Sequence, residues 1–348
     1  MWKDILLSLH AKSNLTTTQI EFAFHEMLSQ DIDAAVVGEF LEALKNKGES
    51  ALEVQHATEV ILSKANPFPA DVFSHKITID TCGTGGDGLH TLNISTMVAL
   101  VIAASGTTVF KHGNRAASSK SGSADVLEAL SIRLESDNPT LVQSANEARI
   151  AFLFAQAFHP ALRYVAPIRR ELGFRTIFNY LGPLVNPARP NTQIVGVSEA
   201  KLAEVVATSL AKRGVKAIVL RGLDGLDEIS IASPTDLWLG FDALEPVRHV
   251  QISPETFGEK MHSLEHIRGG EPQENAEAII ELARGKSSDI INAAVAMNAA
   301  CAMVAIDSHH QEITTIEHAL RIRYSDMQDL IRSGKVEETL TLWQSIQR

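Results

Sequence analysis

Asp80-Thr81-Cys82-Gly83-Thr84-Gly85-Gly86-Asp87-Gly88 sets four glycines between a strand-like run and an apolar helical run. Without side chains in the way, backbone N–H groups close around an anion, and the N-terminus of the following helix adds a favourable dipole. A pyrophosphate needs such a cradle; a tight structural turn would use the same residues. The loop lacks the GK(S/T) ending of a P-loop and the glycine spacing of a dinucleotide fingerprint. Asp87 would repel phosphate unless it faces sugar hydroxyls or works with a metal, so a ribose phosphate suits the loop better than bare phosphate. Thr91, Asn93, Ser95 and Thr96 follow where the helix should start and supply hydroxyl and amide groups. Asn93 or Ser95 would equally serve as a simple helix cap, and the two uses are compatible.

A second loop runs Lys111-His112-Gly113-Asn114-Arg115-Ala116-Ala117-Ser118-Ser119-Lys120-Ser121-Gly122-Ser123, with three cations and four hydroxyls in a chain that is acidic overall. That contrast favours an anion, and the loop follows a strand-like run, where open α/β sheets place their sites; a solvated surface loop is the alternative. His112 alone would be a surface or packing residue, but its flanks make it a candidate substrate contact. A third loop, Arg221-Gly222-Leu223-Asp224-Gly225-Leu226-Asp227-Glu228, ends in adjacent carboxylates. Mg²⁺ commonly takes one or two carboxylates together with substrate phosphates and waters, although an acidic turn by itself is only a solvated turn. The fourth segment carries His159-Pro160, Arg163, Arg169 and Arg170, then Gly173-Phe174-Arg175-Thr176-Ile177-Phe178-Asn179 and Gly182-Pro183-Leu184-Val185-Asn186-Pro187. An arginine here could grip a carboxylate bidentately while apolar and proline surface holds an aromatic ring; a basic helix with a proline-rich connection explains the spacing as well.

These loops need a scaffold of strands that feed them. The 348 residues, 45% of them apolar, are enough for a large core and for two domains of unequal size. A formal net charge of −11 gives no general attraction for nucleic acid or anionic membrane. Cys82 and Cys301 show no metal-type spacing and suit unpaired thiols in a reducing, cytoplasmic setting; the N-terminus shows no secretory pattern. The apolar run Ile290 to Ile306, rich in alanine and broken by Asn292 and Asn298, reads as a core helix and not a membrane span.

Up to about Ala65 the pattern is short helices, two of them opened by capping boxes, Thr18 with Glu21 and Ser50 with Glu53. Ile20, Phe24 and Leu28 share one face and should pack inward or against another subunit. Asn66-Pro67-Phe68-Pro69 marks a boundary. Beyond it, strand-like runs at 76–80, 107–111, 150–154, 193–197 and 216–220 alternate with helices, including one over about 95–105 closed by Gly106 and one starting near Ser123. The fold class expected is α/β, a small all-helical domain plus a larger α/β domain with a mainly parallel sheet. The segment 169–190 has turn formers and no strand alternation, as for an excursion back to the helical part. The small domain is thus 1–70 completed by 169–190, and the large one 71–168 with 191–348.

GTGGDG followed by T-x-N-I-S-T, KHGNR-x-x-SS-x-x-GSAD, R-x-x-x-G-x-RT-x-FN-x-LGPL-x-NP and G-x-DE, spanning Asp80 to Glu228, resemble the anthranilate phosphoribosyltransferase family in motif and order. The resemblance implies transfer of the phosphoribosyl group of 5-phosphoribosyl-1-pyrophosphate to anthranilate in tryptophan biosynthesis. It also implies a homodimer built through the helical domains, a cleft site between domains, and two Mg²⁺ per subunit. Carried onto this chain, Gly83, Gly86, Asp87, Thr91, Asn93, Ile94, Ser95, Thr96, Lys111, His112, Gly113, Asn114, Arg115, Ala116, Ala117, Ser118, Ser119 and Ser123 would line the phosphoribosyl pyrophosphate site. Ser95, Asp227 and Glu228 would serve metal; Gly83, Asn114 and Arg169 would hold anthranilate, with Arg169 on its carboxylate. No acid/base dyad is evident, His112 being the one catalytic candidate. Gln156 stands where the family more usually has proline, and Ser131 where it tends to have glycine; both are expected to affect local turns only. Two rivals are a pyrimidine nucleoside phosphorylase, which shares fold and a TGG phosphate loop, and a nucleic-acid-binding relative without activity. The KHGNR loop with Arg169 speaks against the first, intact loops and acidic charge against the second.

Overall fold

Helix punctuation near the start of the chain delimits α1 (Trp2–His10), α2 (Thr17–Met27), α3 (Ala34–Lys47) and α4 (Ala51–Ser63). The structure, a computed structural model, describes residues 1–31, 33–116 and 120–347. The box that opens α2 is Thr16 with Gln19, not Thr18 with Glu21: the Thr16 hydroxyl accepts the Gln19 N–H at 3.3 Å, and Gln19 Oε1 accepts the Thr16 N–H at 3.0 Å. Both threonines carry a suitable partner three residues on. Starting earlier extends the helix, and propagation is favourable once a turn exists. Ser50 and Glu53 form the expected box on α4. Glu53 is fully buried and is further held by Lys47 Nζ at 2.7 Å and the Leu15 N–H at 2.8 Å, so a cap residue doubles as a buried charge with partners. Ile20, Phe24 and Leu28 are buried on one side of α2, as their spacing requires.

After a short 3₁₀ turn at Ala70–Phe73 come β1 (Thr78–Gly83), α5 (Ile94–Ala104), β2 (Thr108–Gly113), α6 (Ser123–Ala129), α7 (Asn138–Glu147) and β3 (Ile150–Phe154). Helices α8 (Ala155–Phe158), α9 (Leu162–Leu172) and α10 (Phe178–Leu181) lead to β4 (Thr192–Gly196), α11 (Ala200–Lys212), β5 (Lys216–Gly222), β6 (Thr235–Gly240) and β7 (Arg248–Ile252). The chain ends in α12 (Pro272–Ala283), α13 (Asp289–Asp307), α14 (Ile316–Arg332) and α15 (Lys335–Gln347). The sheet order is β3-β2-β1-β4-β5-β6-β7, parallel from β3 through β5 and antiparallel at β6 and β7. Sequence pattern did not disclose the last two strands. β1 begins at Thr78, not Lys76, and Thr78 through Thr81 are all buried instead of alternating in burial, because helices cover both faces of a parallel strand.

Alternate strand residues supply two cores. Ile79, Val109, Phe152, Ile194 and Ile218 face α5 and α13, while Val195, Ala217 and Val219 face α11 and a cluster continuous with the helical module. In that second cluster Phe24, Phe40, Val54 and Ile61 meet Val165 and Ile168 of α9 and Ile177, Phe178, Leu181 and Leu184. The excursion after β3 therefore packs on the N-terminal helices. α13 is long and apolar enough to cross a membrane by composition, but 78% of its most apolar window is buried inside the protein, as the reading of a core helix required.

Ser131 follows α6 in the left-handed region, with φ 61°. Its N–H reaches Glu128 O and the Ile132 N–H reaches Leu127 O, both at 2.9 Å, the pairing of a Schellman C-terminus whose left-handed position favours glycine. Ser131 is exposed and makes this turn without glycine's freedom. Ser131→Gly should raise stability by about 0.5–1 kcal/mol, the left-handed strain relieved less the added unfolded-state entropy of glycine. A thermal melt of the variant should show a higher midpoint, and a lower one would contradict the strain.

The chain passes from β1 to β2 and β3 on one side and returns to β4 on the other. Such a reversal leaves a crevice at the carboxyl ends of β1 and β4, where α/β sheets bind ligands.

Candidate active site

At that crevice β1 ends on Gly83, paired in register with Gly196 of β4. A Cβ on Gly83 would collide with the Asp227 carboxylate, so the missing side chain lets Asp227 lie against the strand end. Asp227 Oδ2 accepts the Gly85 N–H at 2.7 Å, and the Thr84 N–H goes to Gly196 O at 2.9 Å. The N–H groups of Gly86, Asp87 and Gly88 have no protein acceptor among the described residues, and Gly86 (φ 78°) and Gly88 are exposed. Free donors on a glycine loop at a helix start form an anion cradle.

The start of α5 sets the cradle's far side. Asn93 is the N-cap by position but its side chain caps nothing; it donates to Ser121 O at 3.2 Å and accepts from Asn275 Nδ2 at 2.8 Å, tying the glycine loop to the second loop and to α12. Ser95 Oγ accepts from Lys111 Nζ at 3.3 Å, and Ser95 O accepts from the Thr81 hydroxyl at 3.0 Å. Thr91 is half-buried and bridges Arg268 through its backbone. Ile94 points into the core, and Thr96 is fully buried with an unpartnered Oγ1. Either could meet a ligand only through its backbone or after rearrangement.

Lys111, 1% exposed, also donates to Thr81 O at 2.8 Å, and burial holds its ammonium below the usual lysine range against the pull of Asp80. Asp80 is itself buried, raised to about 6 by desolvation, and partly offset by Lys111; it accepts from Asn186 Nδ2 at 2.8 Å and from the His112 N–H at 3.2 Å. This Asp80–Lys111–Asn186 knot escaped the sequence reading, although an acid and a lysine on apolar strands were its visible signal. His112 bonds Leu153 O through Nδ1 at 2.8 Å, which requires the proton on Nδ1, and burial followed by the neighbouring His159 lowers it to about 3. It is a neutral imidazole, its ring centroid 5.2 Å from that of His159.

Gly113 closes β2. Beyond it Arg115 is not a free cation: its guanidinium is paired with Asp125 at 3.1 Å and Glu128 at 2.9 Å on α6. The Ala116 N–H is likewise taken by Asp125 at 2.8 Å. Ser123 Oγ lies 3.4 Å from Asn114 O. Ala117, Ser118 and Ser119 lie outside the described residues. Gln156 departs from its expected purely local role, since its Nε2 donates to Asn114 Oδ1 at 3.1 Å.

Asp227, Glu228 and Asp87 form the acidic side. Burial, then the Asp87 charge, raises Asp227; burial, then Asp227, raises Glu228 to about 8, with Lys111 and the Ser95 N–H opposing. Among the described residues no three His, Cys, Asp or Glu side chains converge as a complete metal cage. Two half-buried carboxylates that repel one another, next to the Ser95 backbone and a phosphate cradle, fit Mg²⁺ completed by substrate oxygens and waters. Asp224 instead accepts the Ser230 hydroxyl at 2.6 Å and shapes the turn.

From the α9–α10 segment, Arg175 reaches across to the glycine loop and donates to Gly85 O at 3.3 Å and Gly86 O at 3.5 Å, while its Nε lies 3.1 Å from Glu199. A Cβ on Gly86 would strike this guanidinium. The fourth segment's spacing carries Arg175 but not this contact with the glycine loop. Arg169, half-buried, has its guanidinium 5.5 Å from the Phe178 ring and an Nε without a hydrogen-bond partner, and burial lowers its pKa. It makes no ion pair among the described residues, so a cation stands ready for an anionic guest. Arg163 stacks on Tyr164 and Arg170 is exposed.

Fold and site together define a glycosyl transferase: residues 3–65 match the helical bundle domain of the glycosyl transferase family and residues 75–335 its a/b domain. The anthranilate phosphoribosyltransferase of Arthrobacter sp. (strain FB24) is 39% identical over 352 residues, covering 100% of this chain and 96% of the relative. That of Acidothermus cellulolyticus is 40% identical over 344 residues, covering 98% and 94%. The crystal structure of anthranilate phosphoribosyltransferase from Thermus thermophilus superposes with a TM-score of 0.88 at 31% identity, covering 99% of each chain. This chain belongs to the anthranilate phosphoribosyltransferase family.

Proposed function

We propose that the crevice at β1 and β4 transfers the 5-phosphoribosyl group of 5-phosphoribosyl-1-pyrophosphate to the amino group of anthranilate, giving N-(5-phosphoribosyl)anthranilate and pyrophosphate for L-tryptophan synthesis. The observation that carries this reading is the set of free N–H donors on Gly86, Asp87 and Gly88 beside the mutually repelling Asp227 and Glu228. The donors bind the leaving pyrophosphate, with Lys111 holding Ser95 in place. Mg²⁺ bound by Asp227, Glu228 and the Ser95 hydroxyl, two ions per subunit, would neutralise charge developing on the pyrophosphate. As the C1–oxygen bond breaks, positive charge grows on the ribose, and the anthranilate nitrogen forms the new C1–nitrogen bond from the opposite face. An arylamine is a neutral nucleophile and sheds its proton to solvent water after bonding, so no strong base is needed; neutral His112 positions and does not protonate. Arg169 takes the carboxylate of anthranilate, with Gly83 and Asn114 nearby.

The same reading divides the chain into a small domain, 1–70 with 169–190, and a large one, 71–168 with 191–348. It also makes the protein a homodimer in the cytoplasm.

The test is anthranilate fluorescence. Purified protein should consume it only when phosphoribosyl pyrophosphate and Mg²⁺ are both present. Folded protein that leaves the signal unchanged under those conditions would refute the reading and direct attention to phosphorolysis of thymidine and uridine.

A further inference from the structure

Asn114 emerges from β2 next to Gln156, because β2 and β3 run in parallel with Gly113 paired to Phe154. Two donors converge on Asn114 Oδ1, the Arg115 N–H at 2.8 Å and Gln156 Nε2 at 3.1 Å. A backbone N–H only donates, so the atom it meets is the amide oxygen, and the orientation of the Asn114 side chain is fixed without ambiguity. That oxygen has two lone pairs, and both are now used. What Asn114 can still offer a guest is therefore its Nδ2 group, a pair of donors. Gln156 is exposed and sits on the same turn that carries His159, whose ring packs on His112.

We propose that Gln156 is a positioning residue that sets the hydrogen-bond polarity of the aromatic-substrate end of the cleft. By occupying the second lone pair of Asn114 Oδ1 it commits Asn114 to donate, which selects arylamines carrying an acceptor such as a carboxylate. This rests on the reading that anthranilate binds beside Asn114. Without the Gln156 donor only the Arg115 N–H holds the oxygen, so the amide turns more readily to present it, which a carboxylate would meet as a repulsion. Specificity built on donor polarity is stronger than specificity built on shape, because a mismatched polar group stays unpaired.

The experiment compares Gln156→Glu, Gln156→Leu and Gln156→Lys with the wild type, measuring KM and kcat for both substrates. Anthranilate is read against 2-aminobenzamide, which carries donors where anthranilate has only acceptors. The ionised carboxylate of the first variant repels Asn114 Oδ1, the second removes the donor, and the third retains one. KM for anthranilate should rise roughly 3- to 10-fold in the Leu variant and at least as much in the Glu variant, one hydrogen bond's worth. KM for phosphoribosyl pyrophosphate and the melting midpoint should stay unchanged. The Lys variant should stay within about twofold of wild type, and of the two charged variants only the Glu one should lose preference for anthranilate over 2-aminobenzamide. An unaltered anthranilate KM in the Leu and Glu variants overturns the proposal. So does a parallel shift of both KM values with the melting midpoint, which marks a purely structural role. Wild-type turnover of anthranilate in the same assay judges the functional reading separately: if it is absent, that reading and this proposal fall together, whereas a failure confined to the variants leaves the reading intact.

Discussion

Asp227→Asn combined with Glu228→Gln should lower Mg²⁺-dependent kcat/KM by roughly 10³-fold or more, since a metal-held charge contributes several kcal/mol at about 1.36 kcal/mol per tenfold. The amides keep the shape of both side chains, and the amide oxygen introduced by the first substitution can still accept the Gly85 N–H that Asp227 takes at 2.7 Å. Only the negative charge goes. Both carboxylates are held above their ordinary range by burial and by neighbouring acids, so the folded protein without metal gains nothing from their ionisation. The melting midpoint of the metal-free double variant should therefore equal or exceed that of wild type, while activity collapses. Steady-state kinetics across a Mg²⁺ titration, with a melt of each protein, separates the two effects. Wild-type rates in the double variant would remove the acid pair from the chemistry; a large fall in melting midpoint would mean that the pair is structural.

What could be read from the sequence was local. Glycine spacing, the Ser50–Glu53 cap and the buried face of α2 depend on neighbours a few residues away, and those are the features that the structure returns unchanged. The antiparallel strands are hidden because β7 is a largely exposed, polar edge, and in β6 the apolar Trp238 stands on the more exposed face between buried Leu237 and Leu239, which masks the alternation in a short run. Arg115 shows the converse limit of a local reading. Counted as a cation beside hydroxyls it suggests a phosphate ligand, yet Asp125 and Glu128, three apart and so on one face of α6, neutralise it. The contacts of Arg175 and Gln156 are not legible in pattern, because their partners Gly85 and Asn114 are far away in the chain and meet them only through the sheet order and the packing of α9 and α10.

Arg169 supplies the second large effect. Its Nε is buried without a partner, Phe178 covers its guanidinium at 5.5 Å, and no acid among the described residues pairs with it. A half-buried cation kept unpaired carries a desolvation cost, visible in its depressed pKa, which a bound carboxylate would offset through two charge-assisted bonds. Arg169→Met should therefore raise KM for anthranilate by roughly 10- to 100-fold, the value of about 1.5–3 kcal/mol for hydrogen bonds to a charged group. The methionine fills the space of the stem against Phe178 and removes an unsatisfied polar atom, so the melting midpoint should not fall. Arg169→Lys should recover little, because a point charge on a flexible stem lacks the planar fork that a carboxylate matches. KM for phosphoribosyl pyrophosphate should be unaffected in either variant, since the phosphate cradle is built from β1, α5 and the turn after β5. If both KM values rose together, Arg169 would instead be holding the α9–α10 segment, and with it Arg175, against the glycine loop.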